Sequence, residues 1–190
     1  MFSRFSIRAK ITTVVSVLLV AVIAIGLFSV RQMQSINANA VDIQTNWLPS
    51  VRVLGELRAG TISYRNIIRE HMLAESLEAK LAAEKSLADL VERNAKIRAD
   101  YEKLITSPEE RALHDEWAKL WTEYKAGTDQ VMKLSRAEAG KLPHEAHELN
   151  TRSVGPIARK ADEVLAKDIA LNNRGADTAG ADAGASYAAG

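Results

Sequence analysis

An uncharged apolar segment, ITTVVSVLLVAVIAIGLFSV at residues 11–30, constrains this chain more than any other feature of its sequence. A helix that crosses the hydrocarbon core of a bilayer needs about 20 such residues, and this segment has that length. Three basic residues and no acidic residue lie among residues 1–10. Since basic residues favour the cytoplasmic side of a span, we predict a cytoplasmic N-terminus, a transmembrane helix at 11–30 and emergence outside at residue 31.

A cleaved signal peptide is the alternative interpretation of this segment. It needs a shorter apolar region followed by a cleavage site of small residues. Here the apolar run has full spanning length and continues into RQMQSINANA, residues 31–40, whose pattern remains helical. The sequence therefore favours an uncleaved membrane anchor.

Heptad-type spacing follows the anchor and predicts a first amphipathic bundle helix. Steps of four and three residues predict a packing seam composed of Trp47, Val51, Leu54, Arg58, Thr61, Arg65, Ile68 and Met72. Pro49 interrupts this helix and should kink it near residues 46–48, because proline removes a hydrogen bond and clashes with the preceding turn. The pattern weakens at AESLE, residues 74–78, where we predict a turn.

Capping residues separate the second and third helices. The second is predicted at about residues 77–105. Ser107, Pro108 and Glu110 then form a capping box with proline at the first helical position, so a third helix should cover residues 108–136.

Gly140 and Pro143 predict a turn before a fourth helix, which should begin near residue 144 and bend at Gly155–Pro156. No segment shows sustained period-two alternation, so we predict no sheet. Four amphipathic helices with short connections predict an all-α fold, in which the N-terminal transmembrane helix runs into an antiparallel up-down-up-down four-helix bundle. The bundle domain should span residues 31–175.

The Ala/Gly-rich end, ADTAGADAGASYAAG at residues 176–190, has two interpretations. It fits a disordered terminus, and it equally fits a small-residue helix that approaches a membrane with Tyr187 as an interfacial aromatic. A second transmembrane helix is missing from the sequence, since the chain stops before any further apolar span.

Composition excludes several function classes. A net charge of +1 gives no broad basic field, so we expect no nucleic-acid partner. The chain has no cysteine, which excludes thiolate zinc sites and thiol catalysis. No nucleophile-elbow or phosphate-loop motif is present, so we predict neither an enzyme nor a cofactor. His144 and His147 are one residue short of the zinc-protease spacing and should be exposed rather than bind metal.

Three arginines on the first bundle helix are the strongest binding candidates. At about 100° per residue, Arg58, Arg65 and Arg69 lie on one line with the apolar stripe, and Asn66 flanks that line. A guanidinium on a packing face loses hydration and cannot deprotonate. It therefore needs an anion, and its planar fork suits a carboxylate.

That anion could be internal. Counting the helical rise places Glu84 and Asp129 near the level of Arg65 and Arg69, where pairing would leave nothing for a ligand. Among the aromatic residues of the third helix, Trp117 and Tyr124 should pack in the core. Trp121, adjacent to the seam, is the better pocket candidate.

Several stretches resemble, in order and spacing, the N-terminal part of a methyl-accepting chemotaxis protein: FSIRAK, the anchor, NWLPSVRVLGELR, SPEER and NNRGADTAGADAGASYA. The resemblance covers essentially all 190 residues. It implies a homodimer in the bacterial inner membrane with a periplasmic four-helix-bundle sensor domain. The family continues with a second transmembrane helix, a HAMP linker and a cytoplasmic coiled coil, through which cytoplasmic signalling partners would be reached.

The resemblance also implies site residues. In the family's aspartate receptor, arginines of the first bundle helix bind ligand carboxylates across the dimer interface, and polar groups of the fourth helix complete the site. Two of those arginines are four residues apart, as Arg65 and Arg69 are, and the matching stretch HELNTRS supplies Asn150 and Thr151.

A third arginine of the family falls here on or near Gly60, so Arg58 would have to replace it. This departure leaves a small carboxylate, rather than aspartate, as the expected ligand class.

The function implied is the extracytoplasmic sensing part of a bacterial chemoreceptor that binds a small organic or amino acid and controls chemotaxis. Two alternatives stay open. One is the same sensor bundle on a histidine kinase or a diguanylate cyclase, and the other is a membrane-anchored interaction bundle without a ligand. The last alternative predicts that Arg58, Arg65 and Arg69 all pair internally.

Overall fold

The structure, a computed structural model, describes residues 6–189, and every regular element in that range is helical. The elements are α1 Ile7–Asp42, a first π segment Ile43–Trp47, α2 Leu48–Leu73, α3 Leu77–Glu102, α4 Pro108–Ala137, α5 His144–Leu149, a second π segment Asn150–Val154 and α6 Gly155–Ala188. They fall into two compact units, with residues 46–175 forming the bundle unit and the remainder the other.

Helix α1 carries the apolar segment, and none of its residues is buried. It is the one helix in residues 6–189 that is long and apolar enough to cross a membrane. In the same unit, the hydroxyl groups of Ser35 and Ser186 lie 3.3 Å apart. Of the two interpretations of the Ala/Gly-rich end, the structure shows the helical one, since α6 extends to Ala188.

The bundle unit contains four helices, namely α2, α3, α4 and the composite fourth helix made of α5, the second π segment and α6. Its core is one continuous cluster of buried apolar side chains, which includes Leu54, Leu57, Tyr64, Leu87, Tyr101, Trp117, Tyr124, Val131, Val164 and Leu165. The predicted all-α four-helix bundle with a long apolar first helix is thereby confirmed.

The packing seam of α2 differs from the predicted one. Leu57 and Tyr64 face the core and are almost fully buried, whereas Arg58 and Arg65 are half-buried at its edge. Both versions of the seam step by three and four residues and share Leu54 in common, so spacing alone does not separate them. Burial does, because a guanidinium in the core would lose its hydration. Arg58 and Arg65 each follow a core residue by one position, so they lie about 100° around the helix from Leu57 and Tyr64.

The predicted capping box at the start of α4 is present. The Ser107 side chain accepts a hydrogen bond from the Glu110 backbone N–H at 3.1 Å, and Glu110 Oε2 accepts one from the Ser107 N–H at 2.9 Å. Pro108 is the first residue of α4. The cap satisfies N–H groups that a helix start leaves without partners, so the turn between α3 and α4 is fixed locally.

Both predicted proline bends coincide with a π segment. The first π segment ends two residues before Pro49, and the second ends two residues before Pro156. Proline cannot donate a backbone hydrogen bond and its ring crowds the carbonyl of the preceding turn, so regular α geometry is lost there. In the second segment the Gly155 N–H donates to the Asn150 carbonyl, five residues back.

A buried acidic cluster joins α3 to α6. The Tyr101 hydroxyl lies 2.8 Å from both carboxylate oxygens of Asp168, and the Asn172 amide donates to the same carboxylate at 3.2 Å. Burial raises the pKa of Asp168 to about 6, and the negative charge of the buried Glu110 adds to the rise. The hydrogen bonds from Tyr101 and Asn172 oppose it. The bundle core therefore holds a carboxyl group that keeps its proton up to a higher pH than an exposed carboxyl group does.

We predict that Asp168→Asn reduces the pH dependence of the free energy of unfolding at acidic pH. Because the pKa of Asp168 is higher in the folded than in the unfolded chain, the folded state binds the proton more tightly, and stability falls as pH rises toward 6. Between pH 5 and 7.5 this group should remove about 1–1.5 kcal/mol from the free energy of unfolding. The variant should lack that loss, as measured by denaturant unfolding followed by tryptophan fluorescence.

Asp162→Asn is the matched control. The hydrogen bond and charge of Arg58 lower the pKa of Asp162, so its contribution is complete above pH 5 and should not change up to pH 7.5. The buried histidines His71 and His114 contribute to the total slope in all variants, so the difference between profiles is the quantity to compare. Identical slopes in wild type and Asp168→Asn would contradict the assignment.

Candidate anion-binding cleft

A cavity of about 380 Å³ lies in the bundle unit between α2, α4 and the composite fourth helix. This volume falls in the range of about 300–1,000 Å³ that is typical of small-molecule sites. Its walls are formed by Arg65, Arg69, Met72, Leu73, Tyr124, Leu142, Pro143, His147, Asn150, Thr151, Gly155, Ala158 and Arg159. We call it the arginine cleft.

One wall of the arginine cleft is cationic. Arg65 and Arg69 come from α2 and Arg159 comes from α6. Within residues 6–189, none of these three guanidinium groups has a carboxylate partner within 4.0 Å. Burial raises the pKa of Tyr124, which lines the same cleft, and the charges of Arg65 and Arg69 oppose that rise. The charge of Arg65 also lowers the pKa of Asp162, but that carboxylate is hydrogen-bonded to Arg58. The cleft thus concentrates positive charge that no ion pair within residues 6–189 neutralises, which favours an anionic ligand.

The polar groups of the fourth helix reach the cleft through the second π segment. Asn150 and Thr151 open that segment, and both line the cavity. Gly155 makes the local geometry possible, because a Cβ atom at this position would lie 2.8 Å from the Asn150 carbonyl oxygen. A π turn widens the helix by one residue and is frequent at functional sites. The irregular backbone of the second π segment therefore lies at the wall of the cavity.

The structure brings together four of the six predicted site residues. Arg65, Arg69, Asn150 and Thr151 line one cavity, although they come from helices far apart in sequence. It does not bring Arg58 or Asn66 to the cleft; Asn66 is exposed on the outer face of α2.

Arg58 has an internal partner instead. Its Nε and Nη2 atoms donate to the two carboxylate oxygens of Asp162 at 2.9 and 3.1 Å. This bidentate contact raises the pKa of Arg58 and lowers that of Asp162. Because both side chains are partly exposed, the pair contributes about 0–1 kcal/mol to stability. Arg58 therefore joins α2 to α6 rather than replacing the third arginine of the resembled receptors.

The two internal carboxylates considered from sequence do not occupy Arg65 or Arg69. Glu84 accepts from Arg136 at 2.9 Å and lies 2.8 Å from His71 Nε2. Asp129 is exposed and forms no ion pair within residues 6–189. Arg65 and Arg69 thus keep their hydrogen-bonding capacity for another group.

Gly60 explains the departure from the three-arginine pattern. It is buried where α2 approaches α3, and a Cβ atom there would overlap the side-chain amide of Asn94. An arginine at this position would require the two helices to separate. The glycine is needed for the close approach of these helices.

Sequence reasoning did not assign Tyr124, His147 and Arg159 to the site. A signal was available for two of them, since His147, Thr151, Gly155 and Arg159 step by four residues and all line the cleft. Tyr124 was expected in the core; it is buried and its surface also faces the cleft. His144 and His147 are both exposed, as expected.

Trp121 lies in a different place. With Trp117 and Asn94 it borders a separate cleft of about 230 Å³ between α3 and α4. Both indole rings are nearly fully buried and stack with centroids 5.8 Å apart, so their main role is core packing.

A four-helix bundle with a long apolar N-terminal helix and an unneutralised cationic cleft has the architecture of a sensory module. Residues 4–187 match the family model described as a four helix bundle sensory module for signal transduction. The chain belongs to this family, which is typical of methyl-accepting chemotaxis proteins. No curated protein matches the chain. The resemblance seen in the sequence is thereby confirmed at the level of the family.

We predict that Gly155→Ala destabilises the bundle even though alanine is the better helix former. The added Cβ would meet the Asn150 carbonyl at 2.8 Å, and the backbone would have to shift. Strain of this kind costs about 1–3 kcal/mol, which exceeds the gain of about 0.5–1 kcal/mol from helix propensity. Denaturant unfolding monitored by tryptophan fluorescence measures the difference.

Gly180→Ala is the control in the same helix, because no atom lies within 4 Å of a Cβ placed there. It should be neutral or slightly stabilising. Equal stabilisation by the two substitutions would show that the π segment does not depend on Gly155.

Proposed function

We propose that this chain is the extracytoplasmic sensing part of a bacterial chemoreceptor and that it binds a small organic or amino-acid carboxylate in the arginine cleft. The observation that carries the proposal is the convergence of Arg65, Arg69 and Arg159 on one cavity without an internal carboxylate partner. A guanidinium stays charged at any physiological pH, so a ligand anion is the group that best completes this site.

The hydrogen-bond donors that line the cleft favour a carboxylate as the anion. Arg65 and Arg69 are four residues apart on α2, so both can approach one small ligand from the same side. Planar forks of N–H groups match the two oxygens of a carboxylate, and hydrogen bonds of this charged kind are among the strongest that proteins form. Asn150 and Thr151 add neutral polar groups from the fourth helix, where they would orient the rest of the ligand.

The proposed location rests on α1 and on the charges before it. The uncharged helix has spanning length, and Arg8 and Lys10 at its start favour the cytoplasmic side. This arrangement supports a periplasmic location of the bundle in an inner-membrane protein. The cleft would lie at the membrane-distal end of the bundle, because its α2 residues precede the turn into α3.

A second copy of the chain is the partner that we propose for α2. Leu48, Ile62 and Leu73 are large apolar side chains with exposed fractions of 56%, 44% and 72%. Leu48, Gly55, Ile62 and Arg69 follow one another at intervals of seven residues, which is the spacing of a coiled-coil seam. All four positions of this stripe are exposed, and Arg69 also lines the cleft, so a homodimer formed through the stripe would cover the cleft.

Ligand binding would act on the fourth helix. A carboxylate held by α2 and contacted by Asn150 and Thr151 links two helices that otherwise meet through the core and the Arg58–Asp162 pair. The second π segment has an alternative, regular α arrangement that shifts its register by one residue. We propose that the ligand biases this choice and so changes the packing of α6, which leads toward the cytoplasmic output.

The ligand-free interaction bundle is less well supported. It requires Arg58, Arg65 and Arg69 all to pair internally, and of these three Arg58 alone does so within the described residues.

The proposal predicts that a small carboxylate stabilises the protein through Arg65. The chain would be purified in detergent, shown to be dimeric, and screened by intrinsic tryptophan fluorescence against acetate, succinate, aspartate, citrate and benzoate. A ligand at 100 times its dissociation constant should add about 2.7 kcal/mol of stability. The shift should disappear in Arg65→Ala, because the guanidinium that holds the carboxylate is removed.

Arg58→Ala is the matched control, since it removes an arginine of the same helix that is already paired with Asp162. It should keep the ligand-induced shift. A shift that survives Arg65→Ala would place the site elsewhere, and the absence of any shift in the dimeric protein would refute carboxylate sensing.

A further inference from the structure

The wall of the arginine cleft that lies one helical turn beyond Arg69 is apolar. Met72 and Leu73 at the end of α2, with Leu142 and Pro143 before α5, form this wall. Leu73 and Leu142 have exposed fractions of 72% and 63%, which is high for leucines that line a cavity. Burying such surface is favourable, so this wall offers a ligand hydrophobic contact rather than hydrogen bonds.

The apolar wall also continues beyond the cleft. A second cavity of about 610 Å³ shares Met72, Leu73, Leu142 and Pro143 with the cleft, and Glu75, Ser76 and Lys141 also line it. The two cavities therefore lie on either side of one apolar ridge at the end of the bundle that carries the α2–α3 and α4–α5 connections. A ligand anchored in the cleft has room to extend along this ridge.

The polar groups of the cleft are confined to its other side. His147, Thr151 and Arg159 are separated by four and eight residues along the fourth helix, and Arg65 and Arg69 line the same cavity from α2. A ligand with one anionic end can satisfy this side and place its remainder on the apolar ridge. A second anionic end would leave Leu73 and Leu142 uncovered and would have to reach Lys141, which borders the second cavity.

We propose that the ligand is a monocarboxylate with an apolar body, an aliphatic or aromatic acid whose hydrocarbon part covers Leu73 and Leu142. This inference rests on the proposed function of the arginine cleft and specifies its ligand class. The carboxylate is held at Arg65 and Arg69, and the length or area of the apolar body sets the affinity.

The test measures affinities of the full chain in lipid nanodiscs by isothermal titration calorimetry. The probes are acetate, butyrate and hexanoate, with adipate as the partner of hexanoate that has the same carbon number and a second carboxylate. Each buried methylene should tighten binding about four-fold. Hexanoate should bind more tightly than adipate, because hexanoate places a methyl group on Leu73 and Leu142 where adipate would place a hydrated carboxylate.

Leu142→Ala should weaken hexanoate binding about five- to ten-fold while leaving acetate binding nearly unchanged, since acetate does not reach the ridge. The control is Leu81→Ala, which truncates a leucine of 49% exposure on α3 that borders neither cavity.

Three results would overturn the inference. If adipate, succinate or an amino acid binds through Arg65 and chain length brings no gain, the ligand class is wrong while the proposed function stands. If hexanoate binds equally to wild type and Arg65→Ala, it binds outside the cleft. If no carboxylate binds to the dimeric protein, this inference and the proposed function fail together.

Discussion

The permanent charge of arginine is the constraint on which this structure depends. A guanidinium cannot lose its proton when a helix packs, so each arginine at the edge of the α2 core needs either an anion or water. Arg58 finds an anion inside the bundle, the carboxylate of Asp162 at 2.9 Å. Arg65 and Arg69 do not, and the fold adds Arg159 to the same cavity. Arginines of one helix therefore have two roles: Arg58 joins α2 to α6, whereas Arg65 and Arg69 contribute to a cationic cleft.

Backbone irregularity shapes that cleft as much as side-chain charge does. Pro156 removes a hydrogen-bond donor from the fourth helix, and Gly155 tolerates the close carbonyl of Asn150. The resulting π segment positions Asn150 and Thr151 in the cavity. Such a segment differs from a regular helix by one residue of register, so it gives a ligand a discrete alternative to select. In the proposed mechanism, this choice would couple ligand binding to the packing of α6.

Local sequence signals were enough to predict the architecture, but they did not predict which side chains pair over long sequence separations. The Ser107–Pro108–Glu110 cap located the start of α4, because every contact it needs lies within four residues. The seam of α2 was placed one residue away from the true one, since two heptad phases share Leu54, Thr61 and Ile68. Only the contacts that bury Leu57 and Tyr64 choose between them. The Arg58–Asp162 pair spans 104 residues, and its register depends on the π segment between α5 and α6. The placement of Arg65 and Arg69 opposite Asn150 and Thr151 came from family resemblance rather than from spacing.

A crystal structure of the dimeric protein with its most stabilising carboxylate would test the central claim most directly. We expect both carboxylate oxygens of the ligand to lie within hydrogen-bonding distance, about 2.7–3.1 Å, of guanidinium nitrogens of Arg65 and Arg69. We also expect Asn150 or Thr151 to contact the same molecule from the fourth helix. A structure in which Arg65 and Arg69 are paired with carboxylates of the protein itself, with the ligand bound elsewhere, would contradict the claim.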